Sequence, residues 1–349
     1  MSEKLRSYSD LGSYICVFAF FDLLIFPRVL FSLLLPLSLI LTICQLPWRM
    51  KRNELFVTTF FFFIMVISIV YGLLIGNASD TTKNFQRALQ LGSVLLYAQL
   101  FVDFQLIESA LKKVLRLYFI WISVLVILFL VYSDLYVSLI STLYPETLEY
   151  LDWNMQTLRI GYAFSDPNSF AYLTCMAIFL TALVEKNKTI LNLAWLIAIL
   201  AVLLSQSRGG LICTVILFFY FVITLQKLSN TIILISLLVI ACLAILIKYQ
   251  DQIEVFYELA LSRLESEESV GGGRADKYKY FFKNFNFLPF GVGYGLVKDG
   301  EEFRPHSDLI RLGLSYGIFS FPLFYYFIRP KTKEERLLFL LVIVPFLLN

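Results

Sequence analysis

Residues 189–226 read TILNLAWLIAILAVLLSQSRGGLICTVILFFYFVITLQ, and this stretch decides the class of fold. Two long apolar runs, 189–204 and 210–226, flank the short polar segment SQSRGG at 205–210. A helix of about 20 apolar residues crosses a hydrocarbon core of ~30 Å. We therefore interpret the two runs as membrane-spanning helices joined by a tight turn.

The same pattern extends along the whole chain, of which 59% is hydrophobic and only 16% charged. Soluble domains carry about 25% charged residues. The sequence predicts an all-α, polytopic helical membrane protein with about 11 transmembrane helices, forming a single integral membrane domain over residues 1–349. The predicted spans are 12–27, 29–47, 55–75, 88–105, 115–133, 168–184, 189–204, 210–226, 231–248, 306–328 and 336–349.

The distribution of positive charge predicts the orientation of these spans. With a cytoplasmic N-terminus, the short inside loops hold about 15 Lys and Arg residues and the short outside loops hold about 5. Residues 249–305 then form a large extracytoplasmic loop. The loop contains an amphipathic pattern and the glycines at 271–273, and a second helix is expected to begin at Arg274.

Several classes of function are disfavoured by the composition. All five cysteines lie inside apolar runs without CxxC spacing, which argues against a disulfide framework or a protein-borne metal site. A net charge of +3 is too small to indicate nucleic-acid binding. We therefore predict no metal, no cofactor and no nucleic-acid partner.

Polar motifs cluster at the predicted outer ends of the spans. The first runs from Arg159 and Gly161 to Asp166-Pro167-Asn168, where Asp-Pro is also ordinary chemistry for starting a helix. The second is the SQSRGG segment, where Gly209 and Gly210 could serve only a tight turn. Arg208 is costly at that depth unless it is paired or faces water.

The large outer loop and the helix after it contribute the remaining motifs. Arg274 alone reads as a solvated surface charge. The run Gly291-Val-Gly293-Tyr-Gly295 follows no strand and opens no helix, so turn chemistry explains it better than a nucleotide loop. His306 is the one histidine of the sequence, and it suits either a general base or an interfacial polar residue.

Together the motifs resemble the O-antigen polymerase and O-antigen ligase family. The matching pattern is Arg-x-Gly-x-x-x-x-Asp-Pro-Asn, then Ser-x-Ser-Arg-Gly-Gly, then Gly-x-Gly followed by His-Ser-x-Leu-x-x-x-Gly, over roughly residues 155–320. The resemblance implies a metal-independent membrane glycosyltransferase of the GT-C class. It also implies undecaprenyl-diphosphate-linked oligosaccharides as substrates, an active site on the periplasmic face of a bacterial inner membrane, and a chain-length regulator (a polysaccharide co-polymerase) as a further partner beside the lipid bilayer.

The resemblance also implies roles for individual residues. His306 matches the family's essential histidine, Arg208 the arginine of the Ser-Arg-Gly turn, and Arg274 the arginine of the outer loop. Arg159 occupies the arginine or polar position before the Pro-Asn helix start. The chain departs from the family at Ser307, where asparagine is frequent.

The resulting mechanistic hypothesis uses His306 as a general base and Arg208 and Arg274 as a clamp on the departing diphosphate, with inversion at the anomeric carbon. Within it, a polysaccharide polymerase that elongates a lipid-linked repeat unit is the first interpretation. A ligase that moves the glycan to a lipid A core or a protein shares the motifs. A transporter or flippase for the lipid-linked glycan is the alternative from another class.

Overall fold

A computed structural model describes residues 52–75, 84–85, 88, 104–164, 166–225, 279–280, 283, 289–293, 296–298, 301–303 and 308–329 of the chain. The helices in these ranges are α1 (Arg52–Leu74), α2 (Phe104–Val131), α3 (Ser133–Leu143), α4 (Leu148–Gln156), α5 (Pro167–Val184), α6 (Lys188–Ser205), α7 (Arg208–Leu225), α8 (Asp308–Tyr316) and α9 (Ser320–Ile328). A 3-10 turn at Pro145–Thr147 precedes α4.

The described helices confirm a helical membrane protein that crosses the bilayer several times. Within the described ranges, four apolar segments are long enough to span, namely Leu55–Leu74, Leu111–Val131, Pro167–Val184 and Lys188–Ser205, and Gly209–Phe221 is a shorter apolar stretch of α7. They correspond to five of the predicted spans. The predicted spans 12–27, 29–47, 231–248 and 336–349, and most of 88–105, lie outside the described residues, so the number of about 11 stays a prediction.

The chain divides into two compact units, which we describe separately. One comprises residues 1–114 and 274–349, and the other comprises residues 115–273. The single membrane domain over 1–349 therefore stays a prediction. In the first unit, the large loop holds helical backbone at Lys279, Tyr280 and Lys283. It also holds an antiparallel hairpin of β1 (Leu296–Lys298) and β2 (Glu301–Phe303), which the all-helical prediction did not include.

The continuous span predicted over 306–328 is wrong. The structure has two nine-residue helices there, α8 and α9, separated at Gly317. Gly317 has a φ of +78°, and its N–H donates to the carbonyl of Gly313 at 2.7 Å, which is the hydrogen bond of a left-handed helix end. A Cβ at this position would meet the carbonyl oxygen of Pro289. The prediction followed apolar content alone and therefore missed the end of the helix at this glycine.

The span predicted from residue 115 begins earlier than expected, since α2 starts at Phe104. The helix therefore includes Lys112, Lys113 and Arg116, which the sequence placed in an inside loop. Lys and Arg are good helix formers, so a helix continues readily through them beyond its apolar part. The apolar part of α2 itself begins at Leu111.

An ion pair joins α2 to the connection between α5 and α6 in the second unit. Arg116 Nε donates to Glu185 Oε2 at 2.7 Å, and the Glu185 side chain is 1% exposed. Glu185 Oε1 also accepts from the backbone N–H of Asn187, whose own side chain caps the start of α6. Two loops predicted to face the cytoplasm thus lie at the same end of this unit.

In the second unit, α5 packs closely against α7. Cys175 Sγ lies 3.2 Å from Thr214 Oγ1, and Thr214 donates to the carbonyl of Gly210 at 2.8 Å. A Cβ at Gly210 would lie 2.6 Å from the Cβ of Ala171, and a Cβ at Gly209 would meet the Tyr172 hydroxyl. Small residues allow two helix backbones to approach closely, as is common between helices in membranes.

We predict that Gly210→Ala destabilises the protein by about 1–3 kcal/mol, because the new methyl group overlaps the Cβ of Ala171, which α5 holds rigidly. Gly209→Ala should cost less, since the hydroxyl end of Tyr172 can move aside. Thermal unfolding in detergent measures both variants.

The double variant Gly210→Ala with Ala171→Gly is the matched control for this contact. It removes the opposing methyl group and should recover most of the lost melting temperature. Equal melting temperatures for the wild-type protein and Gly210→Ala would contradict the packing described for α5 and α7.

Candidate functional site

The turn between α6 and α7 is made by a residue other than the predicted glycines. Gln206 ends α6 in the left-handed conformation, with a φ of +54°. Ser207 then caps α7, because its Oγ accepts from the backbone N–H of Gly210 at 3.1 Å. Gly209 and Gly210 lie in the first turn of α7, so close helix packing explains them and turn geometry does not.

The helix start predicted at Asp166-Pro167-Asn168 is confirmed as the beginning of α5. Asp166 Oδ1 accepts from the backbone N–H of Asn168 at 3.0 Å and from its side-chain amide at 2.8 Å. Pro167 occupies the first helical position, where the absence of an N–H costs nothing. Capping therefore accounts for this half of the motif.

The other half of the motif, which begins at Arg159, folds back onto the α6–α7 turn together with the two residues before it. Ile160 N–H donates to the carbonyl of Leu204 at 3.0 Å. The side-chain amide of Gln206 donates to the carbonyls of Thr157 and Leu158 at 3.0 and 3.2 Å. The first and second sequence motifs, which were predicted at the same membrane face, are thus in direct contact.

Backbone strain is concentrated in this contact. Leu158, Tyr162 and Gln206 are the non-glycine residues with positive φ in the described part of the chain, at +50°, +54° and +54°. Such conformations cost about 1 kcal/mol or more each and persist where the surroundings enforce them, often at functional sites. We therefore regard this contact as the candidate site.

Arg159 is held at the centre of the contact. Its Nε donates to the carbonyl of Ser205 at 3.0 Å, and its guanidinium carbon lies 5.4 Å from the centre of the Trp153 ring. The Arg159 side chain is half-buried, whereas Trp153 is 44% exposed. The carbonyl and the ring together restrict the guanidinium group to a narrow range of positions.

The structure also explains Gly161, which sequence reasoning could not. A Cβ there would lie 2.9 Å from the carbonyl oxygen of Phe164 and 3.1 Å from the side-chain amide of Asn154. Asn154 is itself buried, and its Oδ1 has no hydrogen-bond partner. Glycine is needed because the loop passes directly over this amide.

Beneath the loop lies a network of hydroxyl groups that the sequence did not reveal. The Tyr162 hydroxyl accepts from Trp121 Nε1 at 3.1 Å and from the Tyr144 hydroxyl at 3.2 Å. Burial raises the pKa of both phenols above the ordinary value, so they stay protonated near neutral pH. The network supports the strained loop from the side of α2.

The structure describes some of the predicted site residues and not others. Arg159 is described in full. Arg208 is the first residue of α7 and comes three residues after Ser205, whose carbonyl Arg159 contacts. The side chain of Arg208 lies outside the described part. Arg274 and His306 lie outside the described residues, and their roles stay predictions.

The glycine run before His306 has a structural explanation in the first unit. Val292 and Gly293 donate backbone hydrogen bonds to the carbonyls of Leu314 and Ser315 in α8, both at 2.9 Å. Gly291 N–H donates to Ser68 Oγ of α1 at 3.2 Å. Any Cβ at Gly291 would overlap the α8 backbone. Gly291 therefore lets residues 291–293 pack between two helices.

Three residues of the site escaped sequence reasoning, namely Gln206, Asn154 and Tyr162. Each is a common residue type in an unremarkable context, and no local pattern marks glutamine for a left-handed conformation. In the described part of the chain, no group of three His, Cys, Asp or Glu residues could hold a metal ion. The metal-free site stays a prediction.

We predict that Tyr162→Phe lowers the free energy of unfolding by about 1–3 kcal/mol, because the hydrogen bonds that Trp121 Nε1 and the Tyr144 hydroxyl donate to Tyr162 are lost. Thermal unfolding in detergent measures the change. Tyr132→Phe, at a 62% exposed position between α2 and α3, is the control and should have no effect. A Tyr162→Phe variant as stable as this control would exclude a supporting role for the network.

Comparison with known proteins adds one match. Residues 193–325 match a family model described as O-Antigen ligase, which covers less than half of the chain. The matched region contains the α6–α7 turn, Arg208, Arg274 and His306, and it excludes Arg159. The corresponding comparisons with curated proteins and with solved structures give no match. The match confirms the resemblance drawn from the sequence motifs and identifies residues 193–325 as similar to the O-antigen ligase and polymerase family.

Proposed function

We propose that the protein is a polysaccharide polymerase that transfers an undecaprenyl-diphosphate-linked glycan onto a lipid-linked repeat unit. The family match supports a membrane glycosyltransferase of the O-antigen ligase and polymerase kind. The observation that carries the proposal is the contact between Arg159 and the turn that precedes Arg208. It brings two separate sequence motifs, each with an arginine, to one end of a membrane helix bundle.

An arginine-rich site suits a diphosphate leaving group. A guanidinium group binds phosphate oxygens through two parallel hydrogen bonds and stays charged when it is partly desolvated. In the proposal, Arg208 and Arg274 bind the diphosphate, and Arg159 extends the positive charge beside them. Their charge stabilises the negative charge that develops as the glycosidic bond breaks, which needs no metal ion.

His306 is the proposed general base. Its neutral imidazole accepts the proton of the acceptor sugar hydroxyl while the oxygen bonds to the anomeric carbon of the donor. The bond between that carbon and the phosphate oxygen breaks in the same step, and the lipid diphosphate leaves with its electron pair. A single displacement of this kind inverts the anomeric configuration.

A ligase is the second candidate, because the matching family model carries that description. Its donor and its chemistry at the diphosphate are the same as those of the polymerase. The acceptor differs, being a lipid A core or a protein in place of a lipid-linked repeat unit. The acceptor therefore distinguishes the two functions experimentally.

A transporter receives less support from the distribution of charge. Among the described residues, Glu185 is buried at a helix end and paired with Arg116, and Arg311 in α8 is partly buried with its Nε away from solvent. Transport paths are usually lined with polar groups near the middle of the membrane. Polar groups gathered at a helix end fit a reaction at the membrane surface better.

The location and further partners follow from the same proposal. We place the protein in a bacterial inner membrane with a cytoplasmic N-terminus and the candidate site on the periplasmic face, as the excess of Lys and Arg in the inside loops favours. A chain-length regulator is the proposed protein partner of the polymerase.

We predict that the purified protein converts an undecaprenyl-diphosphate-linked repeat unit into a ladder of longer glycans, and that EDTA leaves the ladder unchanged. His306→Ala should lose at least about 100-fold in rate, because the acceptor hydroxyl loses its general base. Gel electrophoresis of the glycans measures both effects. An active and normally folded His306→Ala variant would contradict the assigned role.

A second acceptor separates the two candidate functions in the same assay. If the native repeat unit gives no ladder but a lipid A core or protein acceptor becomes glycosylated, the protein is a ligase. If neither acceptor reacts, the glycosyltransferase proposal is wrong.

A further inference from the structure

Gln206 combines a strained backbone with a specific side-chain contact. The left-handed position at the end of a helix is ordinarily filled by glycine, or by asparagine, which adopt it at little cost. This chain has glutamine there, with a φ of +54°. A costly residue at a position that glycine fills easily indicates that the side chain is needed.

The side chain of Gln206 bridges two backbone carbonyls of the loop after α4. Its amide nitrogen lies 3.0 Å from the carbonyl oxygen of Thr157 and 3.2 Å from that of Leu158. Both residues directly follow the end of α4, and Leu158 is itself in a left-handed conformation. The amide therefore satisfies the backbone at the point where the chain reverses towards Arg159.

The residues before and after Arg159 in the sequence both contact the α6–α7 turn. Gln206 holds the two residues before it, and Ile160 after it donates to the carbonyl of Leu204. Arg159 Nε meets the carbonyl of Ser205, the residue that precedes Gln206. The position of the guanidinium group thus depends on how firmly the Gln206 amide holds residues 157–158.

We propose that Gln206 is a positioning residue that holds Arg159 in place for the phosphate groups of the lipid-linked donor, an inference that rests on the proposed glycosyltransferase function. Gln206 itself need not contact the substrate. Its amide has two donor hydrogens, and the carbonyls of Thr157 and Leu158 take both. It acts through the loop, and the ligand chemistry is that of an anionic diphosphate.

The direct test replaces Gln206 with methionine, which keeps the length of the side chain and its cost in the left-handed conformation but removes both donors. The Michaelis constant for the undecaprenyl-diphosphate donor should rise about tenfold, in line with the loss of two hydrogen bonds. The turnover number should change less than threefold, since no reacting group is removed. Gln156→Met, at an exposed position on the last residue of α4, is the matched control and should leave both constants unchanged.

A double-variant cycle tests whether Gln206 acts through Arg159. Arg159→Lys should itself raise the Michaelis constant for the donor. Adding Gln206→Met to Arg159→Lys should then cause little further change, because the guanidinium group to be positioned is already gone. Independent, multiplying effects of the two substitutions would overturn the proposed link.

Hydrogen exchange of the backbone amides of Arg159 and Ile160, measured by mass spectrometry in detergent, gives a readout that does not depend on activity. We expect faster exchange in Gln206→Met than in wild-type protein or Gln156→Met. Unchanged exchange would overturn the inference even if the enzyme is active. An inactive wild-type protein with faster exchange in Gln206→Met would instead contradict the proposed function and leave the structural link standing.

Discussion

One end of the second unit depends on hydrogen bonds between residues 157–160 and the turn at 204–206, one of them from backbone to backbone and the others from side chains to backbone carbonyls. Near a membrane, irregular backbone is tolerated only where protein or water satisfies its polar groups. Here the loop and the turn satisfy each other, which permits two strained segments to exist side by side. The same bonds bring Arg159 to the turn that leads into Arg208, so the pairing of these backbone groups also assembles the candidate site.

The close packing of α7 against α5 also stabilises the contact between the loop and the α6–α7 turn. Gly210 approaches Ala171, and Cys175 and Thr214 add polar contacts between the same two helices. The first turn of α7, with Arg208 at its start, is therefore fixed relative to the start of α5 at Pro167.

The sequence predicted those features that depend on composition and short-range chemistry. Apolar runs predicted the spans of α1, α5, α6 and α7 to within a few residues, and Asp166-Pro167 predicted the start of α5. The break at Gly317 was missed because Gly313 and Gly317 lie in an apolar stretch, and only the contacts with residues 289–290 show that the chain must turn. The left-handed Gln206 was missed for a similar reason, since tertiary contacts with Thr157 and Leu158 determine its conformation. The early start of α2 was missed because the prediction followed apolar content, whereas the helix also includes polar residues such as Lys112 and Lys113.

The account is tested most directly by cross-linking the loop to the turn in membranes. Ile160→Cys and Leu204→Cys replace residues whose backbones are joined by a 3.0 Å hydrogen bond, and Ile160→Cys with Lys188→Cys is the control at the opposite end of α6. The control positions are separated by most of an 18-residue helix, about 27 Å long. We expect mild oxidation to form the 160–204 disulfide, identified by mass spectrometry, with glycan transfer retained. Formation of the 160–188 disulfide, or the failure of 160–204 to form while both cysteines react with soluble thiol reagents, would contradict the account.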